Sequence, residues 1–188
     1  MIELRLAQEK DIPSLLQLQE RYLYVNLNEE ERLQGFVTTA FTHEQITQLR
    51  LQEGVFVAVE GETVLAYVLA GTWDFFAQWP IFPYMETRLA SLNLNGRLIS
   101  KETSFQYGPV CIDSAYRGQA LFPRLFDLMR KQFAQKFPIG VTFINQLNQQ
   151  SYFAHTKKLK MQLIDQFDFA GRSYYGLAFE TRVSGESN

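Results

Sequence analysis

Cysteine occurs once in the 188 residues, at Cys111, so no intrachain disulfide and no cysteine-rich metal site can form. Long apolar runs are missing as well. No segment reaches the ~20 consecutive apolar residues of a membrane-spanning helix, and the opening MIELRLAQEKDIPSL has acidic residues where a signal peptide would have an apolar stretch. Runs of one charge are also absent. Basic and acidic residues number 18 and 20, with a pI of about 5.7, so the footprint of a nucleic-acid binder is lacking. The short cluster Lys157, Lys158 and Lys160 falls on a predicted helix, where a solvated face accounts for it. No pair of histidines or acidic residues has metal-ligand spacing. These absences lead to the expectation of a cytoplasmic protein with no metal, no nucleic-acid partner and no membrane partner. A homodimer is left open.

What the chain has is core-forming material. Aliphatic and aromatic residues make up 46% and charged residues 20%, enough to bury a core in one domain. We expect a single domain over 1–182 and a frayed tail at 183–188. Residues 2–6 alternate as a strand does, and 12–22 carry Ile12, Leu15, Leu18 and Tyr22 at helical spacing, with Asp11 as the expected N-cap. Thr42 with Gln45 forms a capping-box pattern. Residues 54–71 form a hairpin around Gly61. The aromatic stretch 72–99 is expected to hold a helix over 85–92, and reads equally as a wall over a site or as a connection packed on the core. FQYGPVCID is a strand in which Pro109 marks a sheet edge, a bulge or a splayed pair. A helix from Leu121, stopped by Pro138 and Gly140, is followed by the strand VTFIN, a short helix and two strands turning at Gly171. The order predicts an α/β (α+β) fold with a mixed sheet of about seven strands and helices on its faces.

The chemistry concentrates in 115-AYRGQALFPRL-125. A strand, a tight turn and a helix start follow one another here, and helix N-termini offer unpaired N–H groups and a positive dipole end to an anion. Arg117 adds a fixed charge. Yet the stretch is neither a Walker A loop nor a GxGxxG fingerprint, so on physical grounds alone a plain helix start stands beside a phosphate cradle.

Taken together, the run Val110-C-I-D-S-A-Y-R-G-Q-A-L-Phe122, a helix, a strand and Asn148-x-x-Ser151-x-x-x-His155 resemble the GCN5-related N-acetyltransferase (GNAT) family. That family's loop reads Arg/Gln-x-x-Gly-x-Gly/Ala. Arg117 matches its first position, while Ala120 and Phe122 stand where the glycines do. Downstream, Lys160-Met161 stands for a Gly-Phe or Gly-Met pair. The resemblance implies a central β-α-β unit that binds acetyl-CoA as acyl donor. The backbone of Val110, Cys111 and Ile112 would pair with the pantetheine arm, and the amides of Gly118, Gln119, Ala120, Leu121 and Phe122 would cradle the pyrophosphate. Asn148 and Ser151 would contact the cofactor.

At the position of His155 the family often has a Tyr that protonates the leaving thiolate. His155 is therefore the candidate general acid, against the readings of cofactor contact or simple packing. Cys111 reads as a packing residue and His43 as structural. Glu86, Glu102 and Tyr107 are open candidates for the general base. The resemblance implies an N-acetyltransferase acting by direct attack of a primary amine, on a small molecule or peptide. The alternative is a non-catalytic CoA-sensing or partner-binding module on the same fold.

Overall fold

The computed structural model describes residues 1–182, and the tail expected to fray lies outside them. The first part of the chain runs β1 (Glu3–Leu6), α1 (Ile12–Tyr22), α2 (Glu29–Arg32), α3 (His43–Leu51), β2 (Val55–Glu60), β3 (Thr63–Gly71), α4 (Trp73–Phe76) and α5 (Ile81–Leu89). It continues with β4 (Asn93–Leu94), β5 (Arg97–Leu98), β6 (Ser104–Ile112), α6 (Leu121–Phe133), β7 (Ile139–Asn145), α7 (Gln149–Phe153), β8 (Gln162–Phe169) and β9 (Arg172–Glu180). Seven strands form one mostly antiparallel sheet in the order β1-β2-β3-β6-β7-β9-β8, and β4 pairs with β5. This is the mixed, helix-flanked sheet that the element order predicts. Two compact units can be told apart: 1–70 with 108–129, and 71–107 with 130–182.

In the first unit, β1 pairs antiparallel with β2, and β2 with β3, Val57 standing opposite Tyr67. Both hairpin strands are buried at almost every residue, which is why they read as continuous apolar runs rather than alternating ones. Ile12, Leu15 and Leu18 of α1 and Ile46 and Leu49 of α3 are buried at the spacing that the sequence shows. The Thr42–Gln45 capping box is formed in both directions, at 3.2 and 2.9 Å. Gln19, also buried, exchanges two 3.0 Å hydrogen bonds with the backbone of Phe41 and so ties α1 to the segment before α3.

Asp11 does not cap α1 through its side chain, contrary to expectation. Its backbone is already helical (φ −81°, ψ −20°). Its carboxylate turns back to accept from Arg5 at 2.6 and 3.1 Å and from the Gln8 N–H at 2.6 Å. The residue is 2% exposed. Burial alone would raise its pKa, but Arg5 and the Gln8 amide outweigh it and hold the carboxyl below the ordinary range.

In the second unit, β6 runs parallel to β7 with Ser104, Phe105 and Gln106 opposite Ile139, Gly140 and Val141. β7 then pairs antiparallel with β9, and β9 with β8. Gly140 does not terminate the preceding helix, which ends at Phe133, but belongs to β7. A Cβ there would come within 2.1 Å of the Phe179 ring, so the strand needs glycine for close packing. The helix expected over 85–92 spans Ile81–Leu89 instead. Pro80 stands at its N-cap and Pro83 in its first turn, where the missing N–H has no intrahelical partner to lose. The 72–89 stretch packs inward: Trp73, Phe76 and Phe82 are buried, and Phe82 meets Phe143 at 5.4 Å. Arg88 of α5 donates twice to Asp165 of β8, at 2.7 Å each, and pins the helix to that strand.

Removing one partner of a buried ion pair strands the other. Asp11→Ala is expected to lower stability by roughly 3 kcal/mol or more at pH 7, read from urea denaturation. Because the folded pKa is depressed, the contribution is full at neutral pH and is lost only as the pH falls below the ordinary carboxylate range. A near-zero change at pH 7 would contradict the account.

Candidate functional site

The site is best built from the strand that leads to it. β6 is fourth of seven in the sheet, so Pro109 does not mark an edge. Its pairing with β7 covers Ser104–Gln106, before the proline. Residues 104–107 are buried, whereas Gly108, Pro109, Val110 and Ile112 are half-exposed, unusual for a strand so placed. The Gly108–Pro109 peptide is cis.

After Ile112 the chain makes one 3₁₀ turn, Ser114–Tyr116, capped by the Asp113 carboxylate on the Ala115 N–H at 3.0 Å. The turn is braced by the end of α1 and the segment after it. Arg21 pairs with Asp113 at 2.5 Å, the Ser114 N–H donates to the Tyr22 hydroxyl at 2.7 Å, and the Arg117 guanidinium donates to the Gln34 carbonyl at 2.6 Å. Arg117 also lies over the Tyr22 ring, 5.4 Å from its centroid. Its side chain therefore holds protein backbone, which sequence reasoning had no means of anticipating.

Gly118 then takes φ +84° and Ala120 φ +58°, both in the left-handed region, and both are exposed. The Ala120 carbonyl accepts the Arg124 N–H at 3.4 Å, the first intrahelical bond of α6, which makes Ala120 the N-cap. Leu121 and Phe122 follow, 2% and 9% exposed. Together with Leu125, Phe126, Met129 and Phe133 they form the buried stripe that the sequence predicts. Phe122 is thus buried, whereas Gly118, Gln119 and Ala120 are all exposed. Where the resemblance sets alanine in place of glycine, the chain keeps the glycine conformation. The same holds for Lys160, at φ +57°. An L-residue in this region carries roughly 1–2 kcal/mol of steric cost, retained here twice.

In the second unit, Asn148, Ser151 and His155 come together, though not on a simple helix face. Asn148 is the N-cap of α7, its side-chain oxygen accepting from the Ser151 N–H at 3.2 Å. Residues Ala154–Lys158 then widen into a π-helical turn, an irregularity frequent at functional sites. His155 is 5% exposed. Its Nδ1 lies 2.7 Å from the Ser151 carbonyl oxygen, which can only accept, so Nδ1 carries the hydrogen. Its Nε2 lies 3.2 Å from the Tyr107 hydroxyl. Burial pulls the imidazole pKa down to about 4, against a smaller opposing effect of the Ser151 bond, so the ring is neutral at pH 7 and Nε2 accepts from Tyr107. In that state His155 has no proton at Nε2 to give, the physical obstacle to the general-acid expectation. Tyr107 was visible in the sequence only as a candidate base. Its phenol is fully buried, and burial raises its pKa well above the ordinary value.

The other candidates separate by environment. Cys111 is 4% exposed and burial pushes its thiol up to about 12, so it packs rather than attacks. Glu102 is exposed, and the Ser100 hydroxyl lowers its pKa. Glu86 shares Lys101 with Asp74, at 3.6 and 2.9 Å. His43 is an exposed first-turn residue of α3. Among the described residues no group of three or more potential metal ligands occurs, and no helix is long and apolar enough to cross a membrane.

No family model and no curated protein matches the sequence. Solved structures do match. An acetyltransferase of the GNAT family from Streptococcus pneumoniae superposes with a TM-score of 0.63 at 11% identity, over 96% of this chain and 99% of that one. A Salmonella typhimurium protein solved with acetyl-CoA as its cofactor gives 0.65 at 12% identity, over 100% and 98%. An N-acetyltransferase from Staphylococcus aureus gives 0.61 at 14%, over 97% and 99%. The fold is GNAT-like.

Two measurements check these assignments. Ala120→Gly and Lys160→Gly are each expected to raise stability, by up to about 1 kcal/mol, by relieving the left-handed strain; a loss in both would contradict the geometry. Separately, a buried neutral histidine destabilises the fold in acid. Stability is expected to be flat above pH ~6.5 and to fall toward pH ~4 by as much as roughly 1.4 kcal/mol per unit. His155→Gln should remove that part of the slope. An unchanged slope would contradict the neutral, buried ring.

Proposed function

We propose that this chain is an acetyl-CoA-dependent N-acetyltransferase acting on a primary amine of a small molecule or peptide. The observation that carries the reading is the exposed left-handed turn Gly118–Ala120 entering α6 with Phe122 turned into the core. A helix N-terminus entered through an exposed turn of this kind offers unpaired backbone N–H groups that suit a pyrophosphate. Half-exposed Val110 and Ile112 and the strand residue Cys111 between them are assigned to the pantetheine arm. Asn148 and Ser151 are assigned to the cofactor by resemblance alone. Structural neighbours named as acetyltransferases support the same reading at the level of the fold.

Acetyl-CoA supplies the acetyl group as a thioester: the bond from amine nitrogen to acetyl carbon forms, the nitrogen gives up a proton to water, the carbon–sulfur bond breaks, and the thiolate takes up a proton. The donor of that proton at neutral pH is assigned to water, because His155 is held neutral with Nε2 engaged by Tyr107. His155 orients Tyr107 and fixes the π-helical turn. A β6 strand amide is assigned to the developing oxyanion. The second reading, a CoA-sensing or partner-binding module without turnover, draws on the environments of the candidate bases: Glu86 is paired with Lys101, the Ser100 hydroxyl lowers the Glu102 pKa, and burial raises that of Tyr107.

Thermal-shift titration with acetyl-CoA and CoA, followed by release of free thiol in the presence of agmatine, phenethylamine or an alanine-initiated tetrapeptide, tests both readings. Stabilisation by both cofactor forms and thiol release with at least one amine are expected. Stabilisation without turnover would favour the sensor, and no stabilisation would overturn both readings. His155→Gln is expected to keep the rate at neutral pH within about threefold, corresponding to under 1 kcal/mol, whereas a loss of a hundredfold would restore His155 as the acid.

A further inference from the structure

Gln106 is a buried polar side chain that the proposed mechanism does not use. It is 1% exposed and lies in the second unit on β6, between two residues already engaged on the other face. Phe105 stacks on Phe133 at 4.4 Å, and Tyr107 donates to His155. Strand alternation sends Gln106 to the same face as Ser104, whose hydroxyl oxygen accepts from the Trp73 indole at 3.0 Å. Its register partner is Val141. Phe143, two residues further on in β7, lies on that face too and meets both Phe82 and Tyr174.

The carboxamide is poorly used at both ends. Among the described residues its nitrogen reaches only the Tyr107 carbonyl oxygen, at 3.4 Å. That contact fixes which end is nitrogen, since two oxygens would repel. Among the described residues the oxygen, Oε1, has no hydrogen-bond partner. A buried acceptor left unmatched is costly and rare, and its natural complement is a donor supplied from outside the chain.

We infer that Gln106 Oε1 receives an N–H of the acceptor amine, making Gln106 the residue that selects and orients that substrate. The inference rests on the acetyltransferase reading. The chemistry favours an amine because a neutral amide oxygen can accept an N–H from the uncharged form of the amine. A carboxylate at the same place would hold the substrate as an ammonium ion, which has no lone pair with which to attack.

Two variants test this with the fastest of agmatine, phenethylamine and the alanine-initiated tetrapeptide. Gln106→Met removes the unmatched oxygen at similar volume. It is expected to raise the amine KM roughly tenfold or more, while the acetyl-CoA KM moves by less than about twofold and the melting temperature holds or rises. Gln106→Glu is expected to shift the kcat/KM pH profile for the amine upward by about one unit. An unchanged amine KM in Gln106→Met together with an unmoved pH profile in Gln106→Glu would overturn the assignment and leave a buried water as the partner. Should Gln106→Met fail to fold, the isosteric Gln106→Glu decides alone. Absence of any acetyl-CoA stabilisation of the wild type overturns the acetyltransferase reading itself. Stabilisation without turnover of any of the three amines overturns the amine assignment.

Discussion

The structure turns on one backbone event: the chain leaves β6, passes through a left-handed residue at Ala120 and enters α6. Two forces meet there. The apolar stripe beginning at Leu121 and Phe122 pulls the helix start inward, since burying side chains of this size contributes roughly 1.5–3 kcal/mol each. The left-handed turn costs less than that, so the helix can begin abruptly on an alanine. Its consequence is that Leu121 and Phe122 are buried while Gly118, Gln119 and Ala120 stay exposed. Exposed backbone ahead of a helix start is what an anion needs, and it does not depend on the side chains.

The second unit shows the converse arrangement, with polar side chains drawn inside. His155, Tyr107 and Ser151 form a short hydrogen-bonded chain away from solvent. Low polarity around the ring selects its neutral form, and the Ser151 carbonyl selects the tautomer. A histidine at this position would otherwise invite the role of acid. Environment, rather than residue type, decides what it can donate. The same reasoning gives Gln106 its interest, because among the described residues its buried amide oxygen has no hydrogen-bond partner.

Features governed by local periodicity were legible in the sequence. The α6 stripe repeats over 13 residues, the β2–β3 hairpin has its turn at Gly61, and the Thr42–Gln45 box depends on residues three apart. Features set by distant partners were not. Asp11 looked like a cap because nothing local reveals that Arg5 reaches it, and Gly140 looked like a helix stop because the Phe179 ring that demands it lies 39 positions away in the chain. Pro80 and Pro83 both stand where a helix start tolerates proline, so α5 begins before the expected 85–92. Ala120 and Lys160 were marked as departures from a glycine pattern, yet their φ angles keep to it. Only the backbone could reveal that.

The central claim, that the amides around Ala120 face a pyrophosphate, is tested most directly by amide NMR of the labelled protein titrated with CoA and, separately, with pantetheine. The account predicts that the Gly118, Ala120 and Leu121 amide signals move with CoA and stay in place with pantetheine, which lacks the pyrophosphate. Signals from these three residues that stay fixed while others respond to CoA would contradict it.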